Sequence, residues 1–407
     1  AMSRESRLMI KRAVHAIAVF VSRFGAKLLP DRIPVTFVGA GSIRELSASI
    51  EQQGIDRVLV VTDAVLNEIG VVAQVTDALT DAGVAFEVYD GVRPDPTHEQ
   101  VEAGHRRFLS AGCDAVLAVG GGSPIDASKV IAAMATNGGD VHKLEGKLRV
   151  RQRPAPLFAI PTTAGTGSEV TIAAVISDTD SHLKKFFLDP KLLPTMTALD
   201  PTLMTGIPAP ITAATGMDAL THAIESYIAK TSNPQTESYA TIAVRLVFEH
   251  LPTAVRDGAA IESRQAMALA SYYGGLAFTR TSVGYVHAIA HNLGARYGTP
   301  HGLANALALP HVLDFSEPAA RRQLAELGAL IGVDGDSEAE QARGFIDAVR
   351  TLSASIGIPT TLDALEPADI DALADLALAE AFLDYPVPRF MDKNDCEGVI
   401  AKLLPAG

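Results

Sequence analysis

The stretch Asp114–Asp126, DAVLAVGGGSPID, decides the fold. DAVLAV is an apolar run of strand length, Gly120, Gly121 and Gly122 end it, and Ser123-Pro124 opens a helical pattern. A strand that is apolar at every position is one buried on both faces, as in a parallel sheet covered by helices. The same alternation extends outward. Val35–Val38, Arg57–Thr62 (ending at Asp63), Phe86–Tyr89 and the apolar run Leu157–Ile160 read as strands, with helices from about Ile43 and over Val71–Ala82 between them. Gly39-Ala40-Gly41-Ser42 reads as a turn. Past Pro208 the texture changes: Ile211–Ile228, Ser238–Leu251, Ser263–Phe278 and Val283–Tyr297 all carry helical spacing, punctuated by proline. The expected organisation is an N-terminal helical extension over 1–30, an α/β domain with a parallel sheet over 31–207, and an all-α domain over 208–407. A ligand site is expected in the cleft between the two larger parts, at the carboxyl ends of the strands.

Composition removes several classes of function. Of 407 residues 48% are hydrophobic and 20% charged, a globular balance, and a formal charge of −13 lacks the basic face that nucleic acid requires. Only Cys113 and Cys396 are present, so neither a disulfide framework nor a thiolate zinc cluster can form. Any metal must take oxygen and nitrogen ligands, and a reduced cytoplasmic setting is expected. Ala1 ahead of Met2 reads as an addition before the natural start. The stretch Leu8–Leu29 mixes basic residues with an apolar run, Ala13–Val21, well short of the roughly 20 residues a spanning helix needs. It reads as an amphipathic helix packing on the body or on a partner subunit, with interfacial membrane contact the lesser reading.

Four signals carry chemistry. Glycines followed by a helix N-terminus let backbone N–H groups approach a pyrophosphate, with Ser123 an added donor, although a tight turn alone also asks for glycine. Asp63 at a strand end either accepts from the ribose hydroxyls of NAD or caps the next helix. PTTAGTGSE, Pro161–Glu169, interleaves hydroxyl side chains with glycine and suits a phosphate or a nicotinamide amide; a plain polar loop is the alternative. The fourth signal is the sharpest. Asp218 and His222 in GMDALTHAIE stand at i and i+4, His287 and His291 in VHAIAHNLG repeat that spacing, and His301 follows in PHG. One carboxylate and several imidazoles on otherwise apolar helices fit a borderline divalent ion such as Fe²⁺ or Zn²⁺. The other histidines (His15, His98, His105, His142, His182, His250 and His311) show no such spacing and read as structural.

GGGSPID, PTTAGTGSE, GMDALTHAIE and HAIAHNLG followed by PHG, in this order, resemble the iron-containing (group III) alcohol dehydrogenase family. The resemblance runs from about Pro34 to YPVPRFM and the Asp395-Cys396 pair, and leaves out the N-terminal helix. It implies a dehydroquinate synthase-like architecture of an α/β dinucleotide domain and a helical metal domain. It also implies metal ligands at Asp218, His222, His287 and His301, with His291 beside them. Nucleotide contacts are implied at Asp63, Gly121, Gly122, Ser123, Asp126, Thr162, Thr163 and Thr166, and Phe278 near the substrate channel. Two positions depart from the family pattern: Asn292 where relatives often carry proline, and Ala173 where many carry a polar side chain, which would leave a roomier pocket. The expected activity is hydride transfer between an alcohol, or the aldehyde or ketone in reverse, and NAD, with Fe²⁺ as metal and Zn²⁺ permitted by the ligand chemistry. His291 is the candidate proton relay, and a homodimer is implied. The alternative is an NAD- and metal-using lyase of the dehydroquinate synthase type, which needs a basic pocket that the helices around Asp218 and His287 do not supply.

Overall fold

Along β2 (Arg57–Asp63) the side chains of Val58 and Val60 enter one apolar cluster while Leu59 and Val61 enter another. This period of two recurs on β4 (Ala115–Gly120), where Ala115, Leu117 and Val119 join the first cluster and Val116 the second. Both faces are therefore core, which is why these strands are apolar throughout. With roughly 1.5–3 kcal/mol at stake for each large side chain buried, the pairing register is strongly specified.

The computed structural model describes residues 9–20, 32–179 and 183–405; His182 lies outside them. Besides β2 and β4, the main sheet contains β1 (Val35–Val38), β3 (Ala85–Val92), β6 (Leu157–Pro161) and β9 (Met196–Leu199). The spatial order is β1-β9-β6-β4-β2-β3, and every pairing is parallel. Helices α2 (Ser42–Gln52) and α4 (Val71–Asp81), the latter after the short α3 (Ala64–Glu68), cover one face. Helices α5 (His98–Ser110) and α6 (Gly122–Thr136) cover the other. A second sheet of three strands, absent from the sequence reading, joins β5 (Gly146–Lys147), β8 (Leu183–Leu188) and β7 (Ala173–Asp178) in that order, with β7 and β8 antiparallel. The segment Gly39–Ser42 is a turn, as its sequence suggests. Gly41 has φ 88° and donates its N–H to the Asp200 carboxylate at 2.8 Å, so that carboxylate fills the α2 N-terminus.

From Pro208 the chain is helical: α7 (Ala209–Ile228), α8 (Pro234–Arg256), α9 (Ile261–Thr281), α10 (Tyr285–Tyr297), α11 (His301–Leu330), α12 (Glu338–Ser355), α13 (Ile370–Asp384) and α14 (Lys393–Ala401). Helix α11 is kinked at Ala320, two residues after Pro318. Two compact units result. One holds Pro30–Ile207 with Ala259–Gly275; the other holds Ala1–Leu29, Pro208–Gly258 and Leu276–Gly407. The N-terminal helix α1 (residues 9–20) packs within the helical unit. His15 Nδ1 lies 2.8 Å from the Phe382 carbonyl and its ring meets Phe390 edge-on, while Met9, Ile17 and Phe20 are exposed. Among the described residues no helix is long and apolar enough to cross a membrane.

Candidate active site

Three neighbouring strands of the α/β unit end side by side, and each carries one of the sequence signals. β2 ends at Asp63, β4 runs into Gly120–Gly122, and β6 ends at Pro161 before Thr162 and Thr163. Gly120 pairs with Pro161, and the Thr162 N–H continues the ladder to the Gly120 carbonyl at 3.0 Å. The glycine turn and the threonine loop are pressed together. A Cβ on Gly122 would sit 2.9 Å from Thr166 Cγ2, and one on Gly121 3.0 Å from Thr163 Oγ1, so the missing side chains are what let the loops meet. Gly121 is the N-cap of α6, Ser123 lies in its first turn, and no side chain caps this terminus. Thr162 is buried and its hydroxyl has no partner among the described residues. Open amides at a helix start and an unpaired buried hydroxyl beside them suit a pyrophosphate. Asp63 does cap α3, one carboxylate oxygen accepting from Leu66 N–H at 2.9 Å, and it stands at the carboxyl end of β2, beside the glycine turn that follows β4.

Asp126 is placed differently from its loop-facing neighbours. One of its oxygens accepts from Ser168 Oγ at 2.5 Å and the other from Val175 N–H at 2.9 Å, so it ties α6 to the threonine loop and β7. Next to it lies a residue the sequence reading passed over. Lys129 is fully buried and donates to Ser168 Oγ (2.9 Å), Thr171 Oγ1 (2.9 Å) and the Ala173 carbonyl (2.6 Å). Burial pulls its pKa down to about 8 against the pull of Asp126 and Glu169, and burial pushes Glu169 up to about 7. Ala173 thus serves this network through its backbone.

In the helical unit, α7 carries Asp218 and His222, α10 carries His287 and His291, and His301 is the first residue of α11. The fold brings these three helix segments together by close backbone packing. A Cβ on Gly302 would lie 2.3 Å from the Ala214 carbonyl, so the glycine after His301 allows α11 to start against α7. Ligand atoms of Asp218, His287 and His301 lie within 4.8 Å of one another. Asp218 Oδ1 is 3.7 Å from His287 Nε2 and 3.4 Å from His301 Nε2. His222 stacks on His287, their Nε2 atoms 3.0 Å apart, and Phe278 stacks on His222 at 4.1 Å between ring centroids. His291 stacks on His301 and places Nδ1 2.7 Å from Glu380. Asn292 does not break α10; its side chain donates to the Ala288 carbonyl and the helix continues to Tyr297.

Two further residues complete the cluster. Glu225 accepts from the N–H groups of Gly284 and Val286, both at 2.8 Å, and lies 2.6 Å from His287 Nδ1. A carboxylate already receiving two N–H bonds acts as acceptor toward that nitrogen too, so Nδ1 carries the proton and Nε2 presents its lone pair to the cluster. Asn305 turns its amide nitrogen toward Asp218 Oδ1 (2.8 Å), His287 Nε2 (3.2 Å) and His301 Nε2 (3.2 Å). Three acceptors then share two N–H hydrogens, an excess of lone pairs that a divalent cation satisfies. The field is of the same sign. Burial opposes charging of His287, yet Glu225 and Asp218 outweigh it and hold the ring up to about 9, so without a metal a second proton takes the Nε2 lone pair that a cation would use. Burial likewise opposes ionisation of Asp218, and His222 and His301 outweigh it and hold the carboxyl well below its usual range. The donor set fits the metal. Glu225 was legible as the next turn after His222, on the face shared with Asp218, and Asn305 as one turn after His301; Glu380 carries no local signal.

Residues 34–201 match the model of the iron-containing alcohol dehydrogenase family, and residues 212–404 match the model of that family's C-terminal region. The chain belongs to the iron-containing alcohol dehydrogenase family. It is 39% identical over 375 residues to an NAD-dependent methanol dehydrogenase of Bacillus methanolicus, covering 91% of this chain and 98% of that protein. It is 41% identical over 352 residues to a 1,3-propanediol dehydrogenase of Citrobacter freundii, covering 85% and 91%. A crystal structure of a 1,3-propanediol oxidoreductase superposes with a TM-score of 0.89 at 37% identity, covering 92% of this chain and all of that one. This chain is a metal- and NAD-dependent alcohol dehydrogenase, and the lyase alternative finds no support among these relatives.

Proposed function

We propose that Asp218, His222, His287 and His301 hold Fe²⁺, and that the glycine turn and threonine loop hold NAD through Gly121, Gly122, Ser123, Thr162, Thr163 and Thr166. The observation that carries this reading is the convergence of Asp218 Oδ1 and the Nε2 atoms of His287 and His301 on one point, with His222 alongside. When bound, the ion supplies Lewis acidity toward a substrate oxygen, and NAD accepts the hydride. Glu225 keeps the His287 lone pair facing the ligand set, and Asn305 supports Asp218. His291, backed by Glu380, is the group that takes up the alcohol proton and passes it outward. Phe278, stacked on His222, bounds the apolar side of the substrate position. Asp63 selects NAD by accepting from the ribose hydroxyls and repelling a 2′-phosphate, and Asp126 acts by bracing the loop that carries Thr166.

The substrate class we propose is small primary alcohols and diols, in keeping with the substrates named for the two relatives above. We further propose a cytoplasmic homodimer. Two buried free thiols fit a reducing compartment, and the dimer follows the family resemblance. The test is NADH formation by protein stripped of metal and reloaded with Fe²⁺ or Zn²⁺, over a series from methanol through diols to long-chain alcohols. Activity restored by metal and highest for short alcohols or diols is expected; preference for long chains, or equal turnover with NADP, would overturn the substrate and cofactor assignments respectively.

A further inference from the structure

Histidines that read as structural in the sequence form a second cluster, in the α/β unit. His98 opens α5, while His142 and Glu145 lie on and just after the 3₁₀ turn Val141–Leu144. The two elements reach one another because both pack on α6. One ligand atom from each of His98, His142 and Glu145 lies within 4.8 Å of the other two. Glu145 Oε1 stands between the rings, 2.9 Å from His142 Nδ1 and 3.6 Å from His98 Nε2, and the ring centroids are 4.8 Å apart.

The second observation is His98 itself. Its side chain is only 6% exposed, and neither ring nitrogen has a hydrogen-bond partner among the described residues. A buried imidazole with two unmet nitrogens is an uncommon and costly arrangement in a native fold. The nearest groups are carboxylates at longer range, Glu145 Oε1 facing Nε2 and Asp178 Oδ1 3.9 Å from Nδ1. Lys185 takes the outer oxygens of both carboxylates: Nζ is 3.5 Å from Asp178 Oδ2 and 3.8 Å from Glu145 Oε2. Glu145 Oε1 and His98 Nε2 face each other.

We propose that His98, His142 and Glu145 form a second divalent-metal site, distinct from the Asp218 cluster, with the ligand set that Zn²⁺ takes: two imidazole nitrogens, one carboxylate oxygen and a water. An ion there pins the start of α5 to the turn before β5, and gives the buried ring the partner it lacks.

The experiment uses the full-length protein. Zinc is titrated calorimetrically, and bound zinc is counted by elemental analysis after gel filtration, for the wild type, His142→Gln, His98→Gln and Asp218→Asn. Two zinc ions per chain are expected in the wild type. In His142→Gln the second site should weaken at least about tenfold, a loss that removal of a mere outer-shell partner already brings about. In Asp218→Asn the second site should remain. The His142 side chain is 62% exposed, so its substitution leaves the fold intact and decides the matter even if His98→Gln does not fold. One zinc ion per chain in the wild type, or equal zinc binding by wild type and His142→Gln, overturns the proposal.

Discussion

Replacing Glu225 by Gln separates a residue that orients a metal ligand from one that merely fills space. The carboxylate receives three donors: two backbone N–H groups at 2.8 Å and His287 Nδ1 at 2.6 Å. Glutamine offers one acceptor oxygen and brings an NH₂ group of its own, so at least one donor loses its acceptor. A hydrogen bond to a charged group contributes about 1.5–3 kcal/mol, and the fold should lose stability of that order. The metal effect is separate. An amide N–H facing Nδ1 favours the tautomer with the proton on Nε2, the nitrogen that must present a lone pair. Outer-shell partners of this kind are worth roughly 10–100-fold in metal affinity, or about 1.4–2.7 kcal/mol. Chelator competition with Fe²⁺ or Zn²⁺ measures the affinity, and urea unfolding of the metal-free protein measures the stability. Reduced stability with wild-type metal affinity would refute the orienting role.

In Glu169→Gln, the pH dependence of stability should flatten. Burial raises this carboxyl to about 7, so the folded state keeps a proton that the unfolded chain, near its ordinary 4.5, gives up. The wild type therefore loses stability as pH rises from about 4.5 through 7, by up to about 3 kcal/mol, and the variant should not; parallel curves for the two proteins would count against this. Gly302→Ala should destabilise the helical unit by about 1–3 kcal/mol, because the added methyl lands 2.3 Å from the Ala214 carbonyl, and an unchanged melting temperature would contradict that packing. His291→Gln should lower turnover by about 10²–10⁴-fold with metal content unchanged, and equal loss of both would end the relay assignment.

What the sequence made legible was what repeats locally. β2 and β4 stand out because both faces are buried, and the metal cluster stands out because Asp218 with His222, and His287 with His291, follow the helical period. The second sheet left no such mark. In Ala173–Asp178 the more exposed positions are Ala173, Val175 and Ser177, so burial alternates while polarity does not, and Leu183–Leu188 carries two lysines among apolar residues. β9 is only four residues long, and its place between β1 and β6 is set by long-range pairing. The same limit hid Lys129, which reads as one polar residue of an amphipathic helix yet lies fully buried against the threonine loop. Glu380 and the His98 cluster depend on segments distant in sequence, so no spacing rule reaches them. The Gly39–Ser42 turn shows the converse: glycine beside a helix start resembles a phosphate loop until Asp200 is found filling it.

Anomalous diffraction from a crystal of the iron-loaded protein, collected at the iron edge, should show a strong peak among Asp218, His222, His287 and His301, lost when Asp218 is replaced by Asn. A peak elsewhere in the chain with none at this cluster would contradict this placement of the metal.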